Sequence, residues 1–293
     1  MGEKLIGLRR GCVELVPHRD EWHRLAGETI DRLYDALGDI ILSCEHVGST
    51  SVEGLVAKPI IDIALLVRSY EDIISREDAL KRAGFHYRPS ASGDGGLLLA
   101  SGSFYEGEGD EQTHFIHVVT LGSPLFDEYI SFRDYLRAFP DVRDAYGEVK
   151  QNIVNCGISD RGGYLDGKSD FITRTKKRAM AMSLLGREVS VTVDRPLGAM
   201  HPEYPERLYP VNYGYLEGII GGDGEPLDAY ILGVDTPLKC YTGVAVALIH
   251  RRRDEEDKLV VAPRGVTLTK EQIFAQTEFM ERYFDSVIYM REK

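Results

Sequence analysis

With 293 residues, 43% of them hydrophobic and 28% charged, the chain has the balance of a folded globular protein and the length for two domains. Its net charge of −12 is spread over both halves, −7 across 1–185 and −5 across 186–293, which excludes a duplex-binding module held by phosphate contacts. Cys12, Cys44, Cys156 and Cys240 form no CxxC pair, MGEKLIGLRRG has no apolar signal core and no run is long enough for a membrane span, so a cytoplasmic protein with free thiols and no membrane partner is expected.

Residues 21–37 place Trp22, Leu25, Ala26, Ile30, Leu33 and Leu37 at helical spacing, with Gly38 to end the helix. Residues 39–47 read as a strand, GSTSVEG as a polar loop, and PIIDIALLV (59–67) as a buried strand. A helix is expected over 70–83, stopped by Gly84. Loops follow at 89–96 and 105–111 around a short strand, LLLASGSF, and THFIHVVTL (113–121) is another strand. From Pro124 to about Ser183 the pattern is helical and charged, with a break near Gly157–Asp166.

The texture changes at 183–188, where the domain boundary is placed. VSVTVDRP alternates with period two, 196–226 is dense in Pro, Gly and Tyr, and AYILGV, GVAVALIHRRR and KLVVAP are short strands. Helical patterning returns only at 269–284. This is the pattern of a small β-barrel with one terminal helix. The fold class expected is therefore α+β, an α/β domain over 1–185 followed by a barrel over 186–293.

Gly48-Ser49-Thr50 follows one strand and precedes by a dozen residues another that carries Asp62. A Gly-Ser turn lets backbone N–H groups and a hydroxyl approach phosphates, and a carboxylate on the next strand holds Mg²⁺ against them. Lys58 adds a cation at the head of that strand. Taken alone, such a loop is as readily an ordinary polar turn. The run EHVGSTSVEGLVAKPIIDI (45–63) resembles the GrpB family, whose fold resembles that of nucleotidyltransferases. The likeness extends over 7–180 through GLRRGCVELVPHRDEW, THFIHVV, FRDYLRAFPDVRDAY and YLDGKSDFI. It implies nucleotide binding by Gly48, Ser49 and Lys58, with Asp62 on the metal. Nucleotidyltransferases carry a second carboxylate two residues along the strand, on the same face; here that position is Ala64. Glu45 or a strand histidine is the candidate substitute. His114 and His117 are three apart and face opposite sides, so at most one joins Asp62 and the other is expected to be a hydrogen-bonded histidine.

Residues 209–232, YPVNYGYLEGIIGGDGEPLDAYIL, resemble the signature of soluble inorganic pyrophosphatases, a Tyr-Pro-x-Asn-Tyr-Gly-Tyr run followed by Asp-x-Asp-Pro-x-Asp. The resemblance implies a barrel of that type. Asp223, Glu225 and Asp228 would hold Mg²⁺, and more than one ion, since pyrophosphate needs several cations to be neutralised and attacked by water. Tyr209 and Tyr213 would donate to phosphate, Tyr213 and Asp228 serving the chemistry. DEEDKLVVAP (254–263) matches the region giving further carboxylates and a lysine: Lys258 fits the lysine, and Glu256 or Asp257 the ligand, with Asp254 a third candidate. Arg195 in VDRP is matched to a phosphate-binding arginine. Three departures stand out. Glu225 replaces an Asp, Tyr283-Phe284 replaces a Tyr-Lys pair, and an early ligand-bearing strand is missing. Arg251-Arg252-Arg253 reads as a solvated strand end or a phosphate-facing arginine.

The function expected is Mg²⁺-dependent hydrolysis of pyrophosphate or a related phosphoanhydride by the second domain, beside a nucleotide-binding first domain. The alternative is a non-catalytic nucleotide or metabolite sensor, favoured by Ala64 and the lost lysine.

Overall fold

A computed structural model of the chain describes residues 4–88, 96–157, 160–201, 204, 206 and 208–291. Its contacts divide it into two units, Met1–Phe171 and Ile172–Lys293, each with its own core. Among the described residues, no helix is long and apolar enough to cross a membrane.

The first unit holds, in chain order, β1 (Leu8–Arg9), α1 (Glu21–Leu37), β2 (Ile41–Val47), β3 (Ile61–Val67), α2 (Tyr70–Ser75), α3 (Glu77–Arg82), β4 (His86–Tyr87), β5 (Leu97–Ser101), α4 (Ser103–Glu106), β6 (Glu111–Gln112), β7 (His114–Thr120), α5 (Leu125–Ala138) and α6 (Pro140–Asn155). A longer helix, α7 (Arg161–Ser183), contributes its first turns to this unit. Five strands form one sheet in the order β2-β3-β7-β5-β4, so the four strands read from the sequence in this unit, now β2, β3, β5 and β7, lie side by side. β1 and β6 make a separate two-stranded pair.

α1 buries Trp22, Ala26, Thr29, Leu33 and Leu37 at helical spacing, and Gly38, at φ +59°, ends it by returning its N–H to the Tyr34 carbonyl. Ile61, Ile63, Leu65 and Val67 of β3 join that core. Strand alternation sends Asp62 and Ala64 to the opposite face, on the side where α5 packs. The helix expected over 70–83 is two short ones, because the chain leaves helical geometry at Arg76. The expected 89–96 loop lies, except for Gly96, outside the described residues, as do Ile158 and Ser159 of the expected break before α7.

The second unit contains β8 (Glu188–Arg195), β9 (Asn212–Ile220), β10 (Pro226–Ile231), β11 (Cys240–Arg251), β12 (Lys258–Ala262), α8 (Lys270–Glu281) and β13 (Ser286–Tyr289). The strand order is β12-β10-β9-β8-β11-β13, and β12 also pairs with β11, which closes five strands into a barrel with β13 appended. Strands β9 and β13 were not among those read from the sequence. Gly214 of β9 allows close approach to β8: a Cβ there would lie 2.0 Å from the Thr192 carbonyl oxygen. Thr269 and Gln272 form a capping box that starts α8. The sequence places the boundary at 183–188, but the contacts place it after Phe171. Arg178 of α7 explains the difference, since it is bonded into the barrel through Asp257 and the Arg251 carbonyl.

Candidate functional site

In the first unit the site is built around the turn after β2. Gly48 has φ +69°, and a Cβ there would lie 2.7 Å from Asp62 Oδ2, so only glycine lets this turn close onto the carboxylate. Ser49–Ser51 form one 3₁₀ turn. Cations on α5 and α6 hold the loop by its carbonyls. Arg133 donates to His46 O, Arg137 twice to Ser51 O, Arg143 to Glu53 O and Lys150 to Val56 O. The loop is thus fixed from behind by protein cations.

Pairing register puts Glu45 opposite Ala64 and His117 opposite Ala64 from the other side, so both share the face of Asp62. His117 Nε2 is 3.1 Å from Asp62 Oδ1. Glu45 is instead bonded to Arg133, 2.9 Å away, so its charge is already compensated. His114 points the other way, with Thr29 and Thr113 as partners. Burial holds its ring pKa down at about 4.

Lys150 and Lys168 were not singled out by the sequence. Lys150 is 1% exposed, and its ammonium is 3.1 Å from Ser49 Oγ. Burial, reinforced by Lys168 and Lys58, holds its pKa well below the usual lysine value. Lys58 sits 4.9 Å over the Tyr164 ring and Lys168 5.1 Å over the same ring. The available signal was that Lys150 continues the stripe Val142, Tyr146, Lys150, Ile153, where an apolar residue is expected. The structure therefore gathers Gly48, Ser49, Asp62 and His117 with Lys150, and links Lys58 to Lys168 through Tyr164.

In the second unit the predicted residues separate into two groups. Tyr213 donates to Asp228 Oδ2, and Lys258 lies 2.8 Å from the same oxygen and 2.7 Å from the Tyr213 hydroxyl. Arg195 pairs across strands with Tyr213, and the Tyr209 ring is 5.6 Å from that of Tyr213. Burial would raise the Asp228 pKa, but Lys258 and its hydrogen bonds hold it below the usual value. Glu256 moves the opposite way, raised by burial and by its bond to Asp228, so Glu256 keeps the shared proton to higher pH. Tyr213 stays a phenol, its pKa raised well above normal by burial and Asp228.

Asp223, Glu225 and Asp257 do not join this group. Asp223 accepts the Glu225 backbone N–H within its own exposed turn. Asp257, expected among the metal ligands, is the buried anion of Arg178 and His250, the latter 3.0 Å away. Burial would raise its pKa, but those two partners hold it below the carboxylate norm. Arg252 and Arg253 are exposed, as a solvated strand end would be, but Arg251 is not. It is buried against Glu281 at 2.7 Å and Glu256 at 2.8 Å, and stacks 3.6 Å over Phe284, the residue standing where a lysine was expected. Among the described residues, no three His, Cys, Asp or Glu side chains are placed to hold a metal ion.

The sequence model for "GrpB protein" matches residues 12–178. The glutamate-rich protein GrpB of Alkalihalophilus pseudofirmus is 34% identical over 169 residues, covering 57% of this chain and 96% of that protein. The crystal structure of the conserved protein GrpB from Enterococcus faecalis aligns over 58% of this chain and 98% of its own, with 26% identity and a TM-score of 0.52. An inorganic pyrophosphatase from Ehrlichia chaffeensis aligns over 36% of this chain and 87% of its own at 16% identity, with a TM-score of 0.28, too slight a likeness to argue function. The chain belongs to the GrpB family.

Proposed function

We propose that the first unit binds a nucleoside triphosphate with its phosphates on the Gly48–Ser49 turn, and that the barrel binds a small phosphorylated molecule without hydrolysing it. The observation that carries the first part is the closure of Gly48 onto Asp62, with Ser49 Oγ 3.1 Å from the buried ammonium of Lys150. A carboxylate from β3 and a cation from α6 flank the hydroxyl-bearing turn. Mg²⁺ takes one or two carboxylates together with substrate phosphates, and Asp62 is the residue that would hold it here. Such an ion would neutralise the phosphate charge next to an acidic protein. With Ala64 beside Asp62 and Glu45 tied to Arg133, the site suits one ion better than two.

For the barrel, binding is favoured over hydrolysis because its inner carboxylates already carry protein cations. Lys258 serves Asp228 and Glu256, Arg251 serves Glu281, and Arg178 serves Asp257. Drawing Mg²⁺ into this group would require displacing those partners. Of the expected phosphate-binding set, Tyr213 and Lys258 are themselves bonded to Asp228, so Arg195 and Tyr209 at its edge are the residues that would meet phosphate first.

Calorimetric titration with nucleoside triphosphates tests the first part. Saturable binding that strengthens with Mg²⁺ is expected, and Asp62→Asn should remove the Mg²⁺ dependence; no binding, or an unchanged Mg²⁺ effect in the variant, contradicts it. For the barrel, phosphate release from pyrophosphate with Mg²⁺ should not exceed the buffer rate. Turnover that Asp228→Asn abolishes would restore the hydrolytic reading.

A further inference from the structure

Asp62 uses its two carboxylate oxygens in two directions. Oδ2 faces the turn, 2.7 Å from where a Cβ on Gly48 would stand, and Oδ1 lies 3.1 Å from Nε2 of His117. β3 and β7 run parallel and pair Ala64 with His117, so carboxylate and imidazole project from the same face of neighbouring strands. Both side chains are 29% exposed, so an ion between them would keep positions for water or for phosphate oxygens.

A spacing of 3.1 Å suits a hydrogen bond, and it equally suits two donors on one metal ion. Nitrogen and oxygen ligands at about 2.1 Å from an ion stand about 3.0–3.4 Å apart at octahedral to tetrahedral angles. The ring can supply the lone pair. A neutral imidazole carries one N–H. The Tyr129 hydroxyl lies 3.4 Å from Nδ1, the other ring nitrogen, and can accept that hydrogen. Nε2 then turns a lone pair toward the carboxylate, an arrangement that is repulsive until a cation sits between them. A partner on the second ring nitrogen is the usual support of a metal-binding histidine.

The donor set decides the ion. Mg²⁺ takes oxygen ligands, whereas imidazole suits the later first-row divalent ions. We propose that His117 joins Asp62 as a ligand of the bound cation, and that the site selects a divalent transition metal such as Co²⁺ or Zn²⁺ over Mg²⁺. The proposal rests on the reading of Asp62 as the residue that holds the ion; the identity of the nucleotide plays no part in it.

The test is titration of the full chain with Co²⁺ alone, read by the visible absorption of the ion, with Zn²⁺ and Mg²⁺ as competitors. Cys12, Cys156 and Cys240 are exposed thiols that also take Co²⁺, so every protein compared carries serine at these three positions. Co²⁺ should bind, and Zn²⁺ should displace it where equal Mg²⁺ does not. Asp62→Asn and His117→Ala should each weaken Co²⁺ on the order of tenfold or more. His117→Glu keeps a ligand but makes it a hard oxygen, so it should lower the preference for Co²⁺ over Mg²⁺ by on the order of tenfold, which a purely structural role would not produce. Co²⁺ lost in Asp62→Asn but retained in His117→Ala leaves the ion on Asp62 and overturns ligation by His117. Binding unchanged in both variants places the ion elsewhere and overturns the role of Asp62 as well. Wild type that fails to bind Co²⁺, or binds it no better than Mg²⁺, overturns the selectivity, while Asp62-dependent binding of ATP with Mg²⁺ would still stand. If Co²⁺ behaves as expected but ATP binds with neither ion, the metal site stands and the nucleotide reading falls.

Discussion

His46 and His114 lie on the face of the sheet opposite Asp62, and both are held neutral. His46 Nε2 is 3.0 Å from Thr50 Oγ1, and burial, with His23 beside it, lowers its pKa to about 3. Burial lowers that of His114 to about 4. An unfolded histidine takes its proton near 6.5, so between that value and the folded ones the unfolded state binds more protons. Stability is therefore full above about pH 6.5 and falls as pH drops toward 4, by about 1.4 kcal/mol per pH unit for each ring. Thermal unfolding followed through the buried Trp22 should show this decline, and His46→Gln with His114→Gln should flatten it. Asp257 makes a contrasting residue-scale prediction. Removing its charge leaves Arg178 buried without its anion, so Asp257→Asn should cost about 3–5 kcal/mol in denaturant melts, with or without Mg²⁺. A metal ligand would instead lose only the Mg²⁺-dependent part of stability. The placement of Asp62 beside the Gly48 turn was legible in the sequence because its strand and the Gly-Ser turn were both recognisable. The pairing of Asp257 with Arg178 was not, since the two are 79 positions apart and a carboxylate in DEED looks solvated.

At the level of elements, the β2 turn and β3 act as one device. The turn needs glycine at position 48 both for its positive φ and for its approach to Asp62. Gly48→Ala should therefore weaken nucleoside triphosphate binding by on the order of tenfold or more, read by calorimetry, while Gly27→Ala, in a helix and with no atom within 4 Å of the added Cβ, should leave it unchanged. Strong periodicity made α1, β3 and β7 readable. β9 was obscured because NYGYLEGII mixes Tyr and Gly and follows a Pro-rich stretch, so its strand character comes from pairing with β8 and β10 rather than from its own pattern. α6 was readable as a helix, but its site residue was not. Lys150 is surrounded by neighbours that identify a buried face, and only the fold shows that the face contains a Ser hydroxyl and a turn carbonyl for it to bond.

Across the whole molecule, the proposed phosphate sites of both units would sit on a chain whose net charge is −12. Local cationic sites on an acidic protein favour small anions over duplex nucleic acid, whose extended charge would meet the acidic surface. The two-unit plan was legible from the change of texture, but not the position of the division within α7, because Arg178 commits its part of the helix to the barrel only through distant partners. The most direct test is an amide chemical-shift titration of the full chain with ATP and Mg²⁺. The account predicts saturable shifts that are largest at Gly48, Ser49 and Thr50 and extend to His117. Saturation with those amides unmoved, or with shifts confined to residues 172–293, would contradict it.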